Sequence, residues 1–92
     1  MNVRWTVPAA NDLTQIHDYT ENRFGVTQAR RAATMIYGAV DALKDMPLRG
    51  RAGRKPGTQE LIVSGLPFVI VYRVLNEAVE VIRILHGSQK RP

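Results

Sequence analysis

The chain has 92 residues, no cysteine and a formal net charge of +5. That length suits one small domain rather than two, and the lack of cysteine excludes a disulfide, a thiolate zinc site and a thiol nucleophile. No apolar run nears the ~18 residues of a membrane span, and the first residues lack a signal-peptide core, so a soluble cytoplasmic protein is expected.

The charge is unevenly placed. Residues 1–46 balance five basic side chains against five acidic ones, whereas residues 47–92 carry eight basic against three acidic. A basic half attracts an acidic partner, either a nucleic acid or an acidic protein.

In chain order, Val3, Trp5 and Val7 alternate and predict a strand over residues 1–7 with one apolar face. Pro8 ends it and suits the first turn of a helix, where its missing N–H is not needed. The first helix is expected over 9–23, with Leu13, Ile16, Thr20 and Phe24 forming one stripe and Gly25 ending it. His17 reads as a solvated helix residue. A second helix is expected over 27–44, where Ala29, Ala32, Ala33, Ile36, Val40 and Leu43 keep the helical period and Met46 extends it. A link of two or three residues makes the pair an antiparallel hairpin, and Met46-Pro47 closes it.

Residues 48–57 contain three glycines and a proline and predict an irregular surface loop. Its side chains Arg49, Arg51, Arg54 and Lys55 form either a solvated connection or an anion-facing loop for phosphate or carboxylate. The spacing is not that of a Walker loop. A strand over 58–63 and a turn over 64–67 follow. Residues 68–85 then predict a β-hairpin with its turn at Asn76-Glu77. A regular two-residue turn places Arg73 opposite Glu80 and Arg83 opposite Ile70, on the other face. The order β-α-α-β-β-β is α+β, a helical hairpin packed on a small antiparallel sheet. Residues 88–92 predict a loose basic tail.

Several stretches carry a resemblance in their order and spacing. They are Ala10-Asn11-Asp12-Leu13 with Ile16 and Tyr19, residues 47–54 with 57–62, Val71-Tyr72-Arg73-Val74, and Val81-Ile82-Arg83-Ile84-Leu85-His86-Gly87-Ser88-Gln89. Over nearly its whole length the chain resembles the RelE/ParE superfamily of toxins from type II toxin–antitoxin pairs, and it is closer to ParE-like members. The resemblance implies two helices on a small antiparallel sheet. It also implies one of two targets: RelE-like members cut messenger RNA in the ribosomal A site, whereas ParE-like members poison DNA gyrase. Nuclease members resemble one another in basic side chains on the third strand and just past the fourth. Here those positions hold Val69 and Gln89, which cannot take that role.

Cleavage of RNA through its 2′-hydroxyl needs a base, an acid and a cation near the developing phosphorane charge. His86 is the acid or base candidate, Arg83, Arg73 or the Arg51/Arg54 loop the clamp, and Tyr72 or Glu80 the second base. Each has a structural alternative. Arg73 can pair with Glu80 across strands, Tyr72 can fill the core, and His86 can be a hydrogen-bonded strand-end residue. Arg83 lies on an apolar strand and must find an anion or solvent. No carboxylate cluster has metal-ligand spacing, so neither metal nor cofactor is expected.

The resemblance thus implies a toxin that inhibits gyrase by binding and is not itself an enzyme. The alternatives are a metal-independent, ribosome-dependent endoribonuclease acting on mRNA, and a non-toxic binding module. The expected partner is an antitoxin whose acidic segment folds on binding. It would dock on the helix stripes or add a strand at a sheet edge, covering Arg51, Arg54, Arg73 or Arg83.

Overall fold

Seven elements follow one another in residues 1–89, which the computed structural model describes. They are β1 (Asn2–Trp5), α1 (Val7–Phe24), α2 (Val26–Ala42), β2 (Arg51–Ala52), β3 (Gln59–Ile62), β4 (Phe68–Leu75) and β5 (Ala78–His86). The expected tail residues Lys90, Arg91 and Pro92 lie outside the described residues.

The α+β architecture matches expectation, with the helical hairpin packed on a sheet. The sheet itself is mixed, with strand order β1-β5-β4-β3-β2. β1 runs parallel to β5, and the other neighbours are antiparallel. The glycine-rich stretch is not wholly irregular: Arg51 and Ala52 pair with Glu60 and Gln59, making a short hairpin from the expected loop. The expected strand over 1–7 is shorter, because Thr6 caps α1 by accepting the Ala9 N–H at 3.2 Å. Val7 therefore starts a helix and is 73% exposed instead of extending the apolar face.

One residue joins the helices where two or three were expected. Gly25, at φ +94°, is the C-cap of α1 and the N-cap of α2. Its N–H donates to the Glu21 carbonyl and its carbonyl accepts from Ala29 N–H. Ala29 and Ala32 are buried, as close helix packing requires. The α1 stripe peels away from the sheet along its length: Leu13 is buried, Ile16 and Thr20 are half-buried, and Phe24 is exposed. Met46, expected to extend the α2 stripe, lies in a turn beyond the helix and is exposed.

The 68–85 hairpin has the expected turn. Asn76 and Glu77 both sit at positive φ, 51° and 59°, as a tight turn matched to strand twist requires. Arg73 faces Glu80 as expected, but the register then shifts by one at Val71/Tyr72. Tyr72 pairs with Val81 and Val71 with Arg83, leaving Ile82 extra. A bulge changes which side chains face the core from there on. The regular register would have set Arg83 opposite Ile70, a fully buried core residue. The bulge gives that place to Ile84 and spares the core an arginine.

The core lies between the helices and the sheet. Leu13 of α1 and Ile36 and Val40 of α2 meet Ile70, Tyr72, Val79, Val81 and Ile84. Burial of such side chains contributes roughly 1.5–3 kcal/mol each.

Candidate functional site

β5 outruns its neighbour β1, which ends opposite Val81. Side chains meet the strand edge beyond. Thr6 donates its N–H to the Val81 carbonyl at 3.0 Å and its hydroxyl to the Ile82 carbonyl at 2.8 Å. Asp12 of α1 accepts the Ile84 N–H at 3.0 Å. The same carboxylate accepts both arms of Arg83, Nε at 2.6 Å and Nη2 at 2.9 Å. Hydrogen bonding to Asp12 raises the Arg83 pKa above its ordinary value, against a smaller opposing effect of burial. The anion that Arg83 required is therefore Asp12, 71 positions away in sequence.

His86 ends β5 and is exposed. Its Nδ1 lies 3.2 Å from the Ser88 N–H, which donates to it, and 2.8 Å from Ser88 Oγ. Its own N–H donates to Gln89 Oε1 at 2.6 Å, and its ring sits edge-on to Phe68 at 5.9 Å.

Where α1 departs from the sheet, a groove of about 790 Å³ opens. Ile16, Tyr19 and Phe24 line one side, and Leu66, Phe68 and Ile84 the other, with Arg83 and His86 at its polar edge. Tyr19 is 58% and Phe24 64% exposed, and Arg23 stacks over the Tyr19 ring at 5.6 Å.

The basic residues occupy the opposite end of the sheet order. Arg49, Arg51, Arg54 and Lys55 are all exposed. The hairpin that carries them closes through Gly53 N–H to the Thr58 carbonyl at 2.8 Å and Thr58 Oγ1 to the Lys55 carbonyl at 2.7 Å. A Cβ at Gly53 would lie 2.3 Å from Thr58 Oγ1, so glycine alone fits there. Arg51 approaches the buried Glu60 at 3.6 Å. Arg73 on β4 donates to Glu80 at 2.6 Å, the cross-strand pair expected from the register. Tyr72 is fully buried. Its hydroxyl accepts the Gly50 N–H at 2.9 Å and donates to the Pro47 carbonyl at 2.8 Å. Burial raises its pKa above the ordinary phenol value, offset in part by the Gly50 hydrogen bond.

Apart from Tyr72, the candidate nuclease residues line three adjoining depressions, the first two sharing Gln89 and the last two Arg54 and Glu60. His86 and Arg83 open onto the groove beside α1. Arg51 and Arg54 face a depression floored by Glu60 and rimmed by residues 87–89. Arg73 lies in a third depression with Arg54, Lys55 and Glu80. The Tyr72 hydroxyl lies under the 47–50 bend, occupied by two backbone partners. Among the described residues, His17, Asp18 and Glu21 on the flank of α1 bring donor atoms within 4.8 Å of one another. His17 Nδ1 lies 3.7 Å from Asp18 and 3.6 Å from Glu21, the latter an ordinary i,i+4 neighbour on a helix.

The residues that sequence reasoning passed over are Asp12, Gly50, Glu60 and Ser88. Asp12 carried a signal, since it sits off the apolar stripe one residue before Leu13. Gly50, Glu60 and Ser88 lie in the stretches that carry the resemblance, but no local pattern named their partners.

Residues 3–91 match the family described as the ParE toxin of the parDE type II toxin–antitoxin system. Y4kP of Sinorhizobium fredii is 37% identical over 98% of this chain and 92% of its own length. The toxin RelE2 of Caulobacter vibrioides is 38% identical over 95% of this chain and 96% of its own. Among solved structures, the chromosomal ParDE system of P. aeruginosa superposes with a TM-score of 0.86 at 30% identity, covering 94% of this chain and 95% of that one. The toxin–antitoxin complex RelBE2 of Mycobacterium tuberculosis shares the fold, with a TM-score of 0.66 at 23% identity over 92% and 95% of the two chains. With its helical hairpin, five-stranded sheet and terminal Arg83–His86 strand, the chain belongs to the ParE toxin family of type II toxin–antitoxin systems.

Proposed function

We propose that this toxin arrests growth by binding and poisoning DNA gyrase, and that a cognate antitoxin neutralises it. The observation that supports binding over RNA cleavage is that the base and cation candidates Tyr72, Arg73 and Arg83 are already engaged within the fold. General acid–base catalysis needs its groups within hydrogen-bond reach of one reacting centre. Here the Tyr72 hydroxyl is taken up by two backbone partners and Arg73 is held by Glu80. Arg83 is also bound by Asp12 through two hydrogen bonds. The exposed basic hairpin is left to meet an acidic surface of the target.

The antitoxin reading rests on family membership and on the groove beside α1. Its apolar walls suit an amphipathic segment that orders on binding, and the basic second half of the chain suits an acidic one.

The test is a supercoiling assay with purified gyrase, relaxed plasmid and the antitoxin-free protein, scored for trapped cleaved DNA. Linear DNA should accumulate with dose. Unchanged supercoiling by a folded sample, together with mRNA cleavage on programmed ribosomes, would replace this reading with the ribonuclease one. The RelE name of the Caulobacter relative makes that the appropriate second arm.

A further inference from the structure

We infer that Tyr72 is a positioning residue for the basic hairpin: rooted in the core, it clamps the Gly50 peptide and thereby fixes where Arg49 and Arg51 are presented. This rests on the proposal that the basic hairpin meets the target.

Gly50 is gripped through both of its backbone polar groups. Its N–H donates to the Tyr72 hydroxyl at 2.9 Å, and its carbonyl accepts from Gln59 Nε2 at 3.2 Å. Gln59 and Tyr72 are register partners on β3 and β4, so their side chains lie side by side and form one two-pronged clamp. The Tyr72 hydroxyl also donates to the Pro47 carbonyl at 2.8 Å. One phenol thereby ties both ends of the 47–50 bend and uses its single proton and a lone pair.

The fit leaves no room for another residue. A Cβ on Gly50 would lie 2.7 Å from the Tyr72 hydroxyl oxygen and 2.9 Å from the Glu60 carbonyl. Close approach of the main chain, rather than backbone dihedrals, is what requires glycine here. Arg49 and Arg51 flank the clamped peptide and are both exposed. A clamp on the main chain thus orders two cations without touching their side chains, although Arg51 also approaches Glu60 at 3.6 Å, and it lowers the ordering cost on binding.

Had Tyr72 only filled the core, removing its hydroxyl would leave the bend unmoved, because the ring keeps its packing in Tyr72→Phe. The test is amide exchange and gyrase poisoning measured on Tyr72→Phe, Arg51→Ala and the double variant. In Tyr72→Phe the Gly50 amide should exchange about tenfold faster, while amides of β4 and β5 keep their protection. The dose that traps cleaved DNA should rise several-fold in Tyr72→Phe. In the double variant it should rise by less than the two single effects multiplied, since both act through one surface. Unchanged Gly50 exchange in folded Tyr72→Phe would overturn the clamp. Faster Gly50 exchange with an unchanged trapping dose, where Arg51→Ala raises that dose, would overturn the positioning role. If wild-type protein traps no cleaved DNA, the gyrase reading fails, whereas Gly50 exchange still judges the clamp. Should Tyr72→Phe not fold, Gln59→Leu removes the other prong at the Gly50 carbonyl, and an unchanged trapping dose in that folded variant, where Arg51→Ala raises the dose, would overturn the positioning role.

Discussion

Two arginine-bearing regions of this toxin use charge in opposite ways. Beside α1, Arg83 is half-buried and bound by Asp12, which also takes the Ile84 N–H. In the basic hairpin, Arg49, Arg51, Arg54 and Lys55 stand in solvent, and the hydrogen bonds that hold their backbone come from Tyr72, Gln59 and Thr58. The first region consumes a charge to join a helix to a strand that has outrun its neighbour. The second keeps Arg49, Arg54 and Lys55 outward, sets Arg51 3.6 Å from Glu60, and holds its backbone with neutral groups. The arginine at the seam is thus a structural part, whereas the arginines on the hairpin are exposed.

The largest effect that could break this contrast is at the seam. Asp12→Ala leaves Arg83 unpaired and the Ile84 N–H without its acceptor. It should cost about 2 kcal/mol, below the cost of breaking a fully buried pair because the guanidinium reaches water. The melting temperature should fall by roughly 10 °C. Pairing it with Arg83→Met should recover part of that loss, since an apolar pair of similar shape leaves no orphan charge. A melting temperature within 2 °C of wild type would mean that the seam does not bind α1 to β5.

Next comes Tyr72→Phe, expected to cost about 1 kcal/mol through the lost hydroxyl hydrogen bonds, read by urea unfolding. The phenol also makes a pH prediction. Its pKa in the folded protein is raised by burial, so the unfolded chain loses that proton first as pH rises. Stability from this group is complete below the ordinary phenol pKa of about 10 and is lost as pH climbs through the raised folded value. Tyr72→Phe should flatten that alkaline loss, which an unfolding series from pH 8 to 11 measures. A Phe variant as alkali-sensitive as wild type would assign the loss to other groups.

A smaller effect is expected at Arg73→Ala. Its partner Glu80 is close, but the pair is solvated on the Arg73 side, so the loss should lie below about 1 kcal/mol. The smallest stability effect belongs to Arg54→Ala with Lys55→Ala, two exposed side chains, within roughly 0.5 kcal/mol. That variant should nevertheless require several-fold more protein to trap cleaved DNA with gyrase. A hairpin variant that unfolds readily but traps cleaved DNA as well as wild type would invert the contrast between the two regions.

Much of the fold was legible because it is local. Alternation marked the strands, the 3.6-residue period marked both helices, and Asn76-Glu77 marked the turn whose two residues sit at positive φ. The pairing of Arg73 with Glu80 followed from that turn by counting. Counting failed two residues later, at the bulge, because an extra residue leaves no compositional trace in a run of Val, Ile and Arg. The short strand Arg51–Ala52 was hidden for a related reason: two residues carry no period, and their pairing with β3 exists only once β3 is placed.

The sequence by itself determined the class of the fold, its helical hairpin, its central β-hairpin and the concentration of positive charge in the second half. Those properties depend on residue types at short spacings. Only the tertiary structure decided which of those charges are available. It joined Arg83 to Asp12 through a bulged strand, seated Tyr72 under the bend before the basic hairpin, and left that hairpin in solvent. Such pairings join residues far apart in sequence through strand register and helix placement, and neither is encoded in any local pattern.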